Sequence, residues 1–486
     1  MSIVAPENLF PLPLTAFERF MLADESSDYP MVFYLQVRLK GVVDRDVMKL
    51  AVDDAFSRHP LLCCRVKKTW RGGYWIWAGD QVSEFDWDCD HWMQQEPWRQ
   101  AIDLTSGIGL RVWGEQHSDH AIITMQFHHA CCDGIGAAQF LEDVAIAYAW
   151  HYAKSVDQTV DQTVDLPELR PINLQLLKTR GNSDGRRVAH VSGSIFYRTY
   201  IVMKYTIRYL CQEKLPFLAR STMRQNDLQT GLGLTTIKLT RAETRGLREA
   251  AKKYNASIND LLVRELMLLS HHWNAQVVKP RRRFLSFRPQ TMCVLVPTSL
   301  RGPLDAELPA CNVVSYVFMA RAVALMNRPD ELLCTVRDEM QLVHQYQAGW
   351  LFVQAIEAMQ RLPGMLRLIM LKTQNSCMST TVLSHMGNLL NGISSRLPRE
   401  GRSIQMGNLV VEDIAGIPPI RQGTSVAFST VLVNGCLAVS IRCCAKRFSS
   451  ADTLELLNTF ADRLKSTASA ADSLVGSESP MARVNI

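Results

Sequence analysis

The chain has 486 residues, 47% of them hydrophobic and 21% charged, which is an ordinary globular balance with room for two or three domain-sized units. Its net charge of +6 suits an anionic ligand, but no aromatic-interleaved basic motif points to nucleic acid. Thirteen cysteines, including the adjacent pairs Cys63-Cys64, Cys131-Cys132 and Cys443-Cys444, read as small buried hydrophobes in a reducing compartment. No Cys-x-x-Cys occurs, and the cluster of His128, His129, Cys131 and Cys132 has no second ligand pair at zinc-site spacing, so no metal is expected. Met1 to Phe20 carries prolines and acids where a signal peptide would have an apolar core, and no run of about 18 apolar residues occurs. The expectation is a cytoplasmic protein.

In chain order, Thr15 caps a short helix over Ala16 to Leu22, and Met31 to Lys40 alternates as a strand. A helix follows with Val47, Leu50, Ala51 and Ala55 along it, ending near Arg58-His59-Pro60. Leu61 to Arg65 reads as a further strand, and Trp70 to Ile76 as a hairpin around Gly72-Gly73. Ala121 to Met125 is a buried strand. It runs into Gln126-Phe127-His128-His129-Ala130-Cys131-Cys132-Asp133-Gly134-Ile135-Gly136, beyond which Ala137 to Trp150 has helical spacing. Two histidines therefore stand where a strand ends, and Asp133-Gly134 turns the chain into a helix.

That corner can hold a side chain rigidly with one face open to a ligand. A neutral imidazole takes a proton near neutral pH, a carboxylate four residues on can fix the loop by pairing with an arginine, and Gly134 permits a special backbone angle or a close approach. Read alone, the same residues also describe a satisfied histidine pair beside an Asp-Gly turn.

Lys154 to Arg187 is polar and dotted with Pro, Gly and Ser, as in a linker or exposed loop. Ile195 to Ala219 is basic and aromatic, and reads either as an interdomain helix with snorkelling cations or as a peripheral membrane or lipid contact. A strand over Leu234 to Leu239 precedes a helix capped by Thr240, and Ser257 caps a second helix running to Trp273. Strands follow at Val294 to Arg301 and Ala310 to Val317. Leu332 to Leu371 is largely helical with a break at Pro363-Gly364, and Thr380 to Asn388 is a strand. A hairpin turns at Asn434-Gly435, and a final helix spans Asp452 to Leu464. The small, polar tail from Ser466 is expected to be disordered.

The pattern His-His-x-x-x-Asp-Gly at His128 to Gly134 resembles the signature of the CoA-dependent acyltransferase superfamily, which includes peptide-synthetase condensation domains and wax ester synthases. Four looser segments share the resemblance. Asp103-Leu104 to Arg111 resembles the approach to the histidine strand. Ser257-Ile258-Asn259-Asp260 resembles the opening of the family's second half. Pro297 to Arg301 with Asn312 resembles the Pro-x-Ser-Leu-Arg and Asn-x-Val segments, with Cys311 replacing a glycine. Thr380 to Asn388 resembles the Ser-Asn-x-Gly strand, with His385 in the asparagine's place. The condensation-domain Asp-Phe-Gly-Trp-Gly motif is missing.

The resemblance implies an α/β fold of two chloramphenicol-acetyltransferase-like subdomains in a V with a central tunnel. Residues 1–185 would form the first subdomain, 186–230 a linker or interdomain helix, and 231–465 the second subdomain, with a disordered tail over 466–486. It implies His129 as general base with His128 beside it as an orienting neighbour, and Asp133 and Gly134 as structural support. Arg65 and Arg58 are candidate partners of Asp133, Arg301 an organiser of the mid-cleft, Ser384 an oxyanion donor, and Asn312 a residue of the substrate tunnel. The implied function is a stand-alone acyltransferase that moves an acyl group from a CoA or a separate acyl carrier protein to a hydroxyl, with no bound cofactor. An amide-forming condensation enzyme with an amine acceptor and a non-catalytic acyl- or CoA-binding module are the alternatives.

Overall fold

Two sheets carry the architecture. The computed structural model describes residues 4–69, 72–81, 85–87, 101–156, 168–181, 203, 216–219, 234–277, 290–362, 364–373, 376–391 and 396–475. The first part contains β1 (Leu12–Pro13), α1 (Ala16–Asp24), β2 (Val32–Lys40), α2 (Arg45–Arg58), β3 (Cys64–Thr69), β4 (Gly72–Trp77), β5 (Asp86–Trp87), β6 (Leu110–Gln116), β7 (His120–His128) and α3 (Gly134–Val156). The second opens with β8 (Leu234–Leu239), α4 (Arg241–Lys252), α5 (Ile258–Val277), β9 (Thr291–Ser299) and β10 (Val314–Ala322). Next come α6 (Pro329–Gln345), α7 (Gly349–Gln360), α8 (Met365–Thr373), β11 (Thr381–Asn388), β12 (Arg399–Glu400), β13 (Ser403–Met406) and β14 (Leu409–Ile417). β15 (Val426–Val433), β16 (Cys436–Cys443) and α9 (Ser450–Val475) complete the chain.

The seven-stranded sheet has the order β12-β13-β14-β2-β7-β6-β5, and the six-stranded sheet the order β10-β9-β11-β15-β16-β8. Strands β12–β14 come late in the chain yet belong to the seven-stranded sheet. There β14 pairs antiparallel with β2, from Val410↔Lys40 to Ile417↔Tyr34. β2 is buried along Val32–Leu35 and already pairs with β7 on one side, so its other edge needs a cover. Helices α2 and α3 pack together through apolar stripes that include Val52, Phe56, Phe140 and Val144.

Local capping follows the sequence. Thr15 and Glu18 form a reciprocal box at 3.2 and 2.8 Å, Thr240 and Glu243 another, and Ser257 with Asp260 a third at 3.1 and 2.8 Å. Glu18 does more than cap. It is fully buried, and accepts from Trp75 Nε1 at 3.0 Å and Arg180 Nε at 2.8 Å. The hairpin at Asn434-Gly435 has positive φ at both residues (53° and 82°), as a type I′ turn requires.

Several expectations need correction. Leu61–Cys63 belongs to a 3-10 turn begun by Pro60, whose fixed φ suits a first turn, and the strand starts only at Cys64. The helical stretch from Leu332 breaks twice, because Gln347 at φ 45° ends α6 before α7 begins. The polar stretch after Lys154 is not wholly exposed, since Arg180 is pinned to Glu18. The tail expected to be disordered from Ser466 continues α9 to Val475, because Ala468 packs into the space left by Gly246. The basic, aromatic stretch Ile195 to Ala219 and the 186–230 linker lie almost wholly outside the described residues, as does 476–486. Among the described residues no helix is long and apolar enough to cross a membrane.

Candidate active site

The motif is built where β7 ends. His128 N–H donates to Gly109 O at 2.8 Å and His129 N–H to Met31 O at 2.7 Å, so the histidine pair is held by the backbone on both sides. Asp133 then starts α3. Its Oδ1 accepts Gly136 N–H at 2.8 Å and its carbonyl accepts Ala137 N–H at 2.9 Å. Gly134 has no positive φ, and its role is close approach: a Cβ there would lie 2.9 Å from Met386 Cε.

The two histidines have different duties. His128 is fully buried, its Nδ1 accepting Ala130 N–H at 3.1 Å and its Nε2 donating to Glu25 Oε2 at 3.2 Å. His129 is half-buried and faces a cavity of about 60 Å³. Its Nδ1 lies 3.1 Å from Cys132 O, an acceptor only, so the proton sits on Nδ1 and Nε2 keeps a free lone pair. The ring rests 5.0 Å from Phe33, which itself stacks on Phe127 at 5.0 Å. Burial lowers the His129 pKa, and the neighbouring carbonyls and Asp133 only partly offset it. At neutral pH the imidazole is a neutral acceptor.

Asp133 reaches across to the second part of the chain. Its Oδ2 accepts Arg301 Nη1 at 2.5 Å and Val313 N–H at 2.8 Å, while Arg301 Nη2 donates to Cys311 O at 2.8 Å. Burial alone would lower the Arg301 pKa, but Asp133 outweighs it and raises it. Arg301 is thus the partner of Asp133, and the expectation placed on Arg58 and Arg65 is corrected. Arg58 Nε goes to Asp143 at 2.7 Å because α2 lies against α3, and the Arg65 Nε is buried with no acceptor among the described residues. Asn312 is also relocated. Its side chain is spent on the backbone, donating to His129 O and accepting Val314 N–H at 3.2 Å, and it does not line the cavity.

The cavity walls come from both parts: Met31, Phe33 and His129 face Ser384 and Met386 of β11, with Arg421 beyond. The Ser384 hydroxyl has no hydrogen-bond partner among the described residues, which leaves it for a ligand. Its neighbour His385 bonds Thr430 Oγ1 at 2.7 Å, and burial lowers its pKa to about 4, so it is a neutral structural ring. The Cys131 and Cys132 thiols are buried, donate to His128 O and Asp133 O, and are pushed up by desolvation, which makes them packing residues and not nucleophiles. Glu25, Val313 and Arg421 were missed in the sequence. Each acts across a long separation, with no local pattern to mark it.

No family model and no curated protein sequence matches the chain. Solved structures do. The starter condensation domain of rhizomide synthetase RzmA, solved with C8-CoA and Leu-SNAC, superposes with a TM-score of 0.61 at 13% identity over 95% of each chain. The epimerization domain from the third module of tyrocidine synthetase B gives 0.63 at 11% identity over 95% of this chain and 98% of that one. The condensation domain of the monacolin K polyketide synthase MokA gives 0.60 at 12% identity over 96% and 98%. With two sheets meeting at the histidine motif and superposition along nearly the whole chain, the fold is that of the condensation domains, two chloramphenicol-acetyltransferase-like subdomains.

Proposed function

We propose that the protein is an acyltransferase that moves an acyl group from a CoA or carrier-protein thioester to a hydroxyl acceptor. The observation that carries this reading is the contact of His129 Nδ1 with Cys132 O: a carbonyl can only accept, so the ring proton is committed there and Nε2 is left as a neutral base on a ring that lines the cavity. The acceptor O–H gives its proton to Nε2 as its oxygen attacks the thioester carbonyl. Collapse of the tetrahedral adduct expels the thiolate, which takes the proton back from the imidazolium and leaves an ester and a free thiol. Ser384, on the same cavity and with a hydroxyl that has no partner among the described residues, is the candidate donor to the oxyanion. His128, Asp133 and Arg301 position the base and do not touch the reacting atoms.

A second reading keeps the same base and replaces the hydroxyl with an amine. It is favoured by the neighbour solved with both C8-CoA and Leu-SNAC. Thiol release from a panel of acyl-CoAs, with pooled alcohols or pooled amines, separates the two. Acceptor-dependent release that vanishes in His129→Ala supports acyl transfer, and the productive pool names the acceptor class. Equal release by both proteins removes His129 as the base. Silence from both moves the weight to a carrier-protein donor or to a non-catalytic acyl-binding module.

A further inference from the structure

Besides His129, the catalytic cavity is lined by a charged side chain that the acyl-transfer scheme does not use. Arg421 lies between β14 and β15, just after Pro418-Pro419, and is 5% exposed. Its guanidinium carbon stands 5.4 Å from the centre of the Phe20 ring and 5.7 Å from that of Tyr316, so aromatic rings fix its place. Asp24 Oδ2 approaches Nη2 to 2.7 Å. The approach is not along a hydrogen-bond direction, and Nε, Nη1 and Nη2 of Arg421 and Oδ2 of Asp24 are all buried without a hydrogen bond among the described residues. A guanidinium is a planar fork of five N–H donors matched to a carboxylate. This one is ion-paired to Asp24 but has no hydrogen bond on any of its three nitrogens among the described residues, which leaves its donors open to a second carboxylate.

The surroundings narrow what would accept it. Met31, Phe33, Met386 and Ile417 make most of the wall apolar, so water-like ligands gain little there. Asp24, Gln422 and Gly423 line a larger vestibule of 820 Å³ on the other side. The Asp24–Arg421 pair is therefore the partition between an outer vestibule and the chamber of the base.

We propose that Arg421 selects a carboxylate-bearing reactant, paired through the unused N–H groups while the remainder of that reactant packs on the apolar wall. The proposal rests on the acyl-transfer reading and adds its substrate class. The carboxylate belongs either to the acceptor, as in a hydroxy acid, or to the acyl group, as in a dicarboxylic thioester.

The test compares wild type, Arg421→Gln and Asp24→Asn in two arms. One arm offers butyryl-CoA with 3-hydroxybutyrate or its methyl ester. The other offers glutaryl-CoA or valeryl-CoA with n-butanol. In one arm the wild-type KM for the carboxylate form should lie about tenfold or more below that of its neutral analogue, the scale of one charged hydrogen bond. That ratio should fall toward one in Arg421→Gln and widen in Asp24→Asn, where the competing carboxylate is gone. A ratio of one in both wild-type arms, or a ratio that survives in Arg421→Gln, overturns the proposal. Calorimetric binding of 3-hydroxybutyrate and of glutarate, which needs no turnover, separates its failure from that of the acyl-transfer reading. Arg421-dependent binding without turnover upholds the carboxylate site and removes the reaction; no Arg421-dependent binding of either probe, together with no turnover, overturns the site.

Discussion

Asp133→Asn changes no volume, yet it should be among the most damaging single substitutions in the protein. The wild-type carboxylate accepts from Gly136 N–H at 2.8 Å, Val313 N–H at 2.8 Å and Arg301 Nη1 at 2.5 Å, with the ion-paired side chains only 4% and 9% exposed. The asparagine carbonyl can keep the Gly136 bond, and its amino group then points at two donors. Removing one partner of a buried pair costs about 3–5 kcal/mol, and an orphaned buried N–H costs about 1–3 kcal/mol. Because the two share one site they do not simply add, and we expect about 4–5 kcal/mol. Urea unfolding followed by tryptophan fluorescence measures it, alongside Arg301→Met and the double variant. The double should cost about 2 kcal/mol or more less than the sum of the singles, since both remove the same pair. A cost below about 1 kcal/mol for Asp133→Asn, or singles that add in the double, would refute the claim that this carboxylate ties the two parts together.

Other outcomes follow from the same geometry. Burial lowers the His129 pKa, and the base works only when neutral, so the acidic limb of kcat/KM should lie below about 6.5; an inflection at or above that value contradicts the assignment. His59 is fully buried between Asp143 and Ala310 N–H, and burial lowers its pKa despite the carboxylate. Its unfolded state therefore binds the proton first, so its contribution is complete above about 6.5 and is lost as the pH falls below that value. Wild type should lose more stability than His59→Gln between pH 7.5 and 5.5 on the same reasoning, at about those two values, and equal losses would count against it. Gly109→Ala would place a Cβ 2.3 Å from Cys131 Sγ. It should lower stability by about 1–3 kcal/mol in thermal unfolding, with part recovered in Gly109→Ala/Cys131→Ala; no recovery would point to another cause.

The readable part of the site was the part written locally. From Gln126 to Gly136 one strand ends, a turn forms and a helix begins, so the residue types and their spacing already placed His129 at an open corner and Asp133 at a helix start. The arginine opposite Asp133 lies 168 residues away. The resemblance of the Arg58 to Arg65 run to a condensation-domain segment drew attention to those two arginines, but α2 packs on α3 and commits Arg58 to Asp143. Strand and cap signals predicted most elements because alternation and N-caps act over a few residues. The 3-10 turn at Pro60 and the extra break at Gln347 escaped because each is set by a single backbone angle, and the pairing of β14 with β2 because it is set by which edge is vacant.

That pairing bears on how the protein is made. Until residues 409–417 leave the ribosome, β2 has β7 on one side and nothing in the first sheet on the other. At about 5–20 residues per second, several hundred residues of synthesis amount to some tens of seconds with an apolar edge awaiting its partner. The nascent first part is thus a natural client for a chaperone that shields strand edges, and a premature stop before Leu409 would leave a product inclined to pair with its own copies.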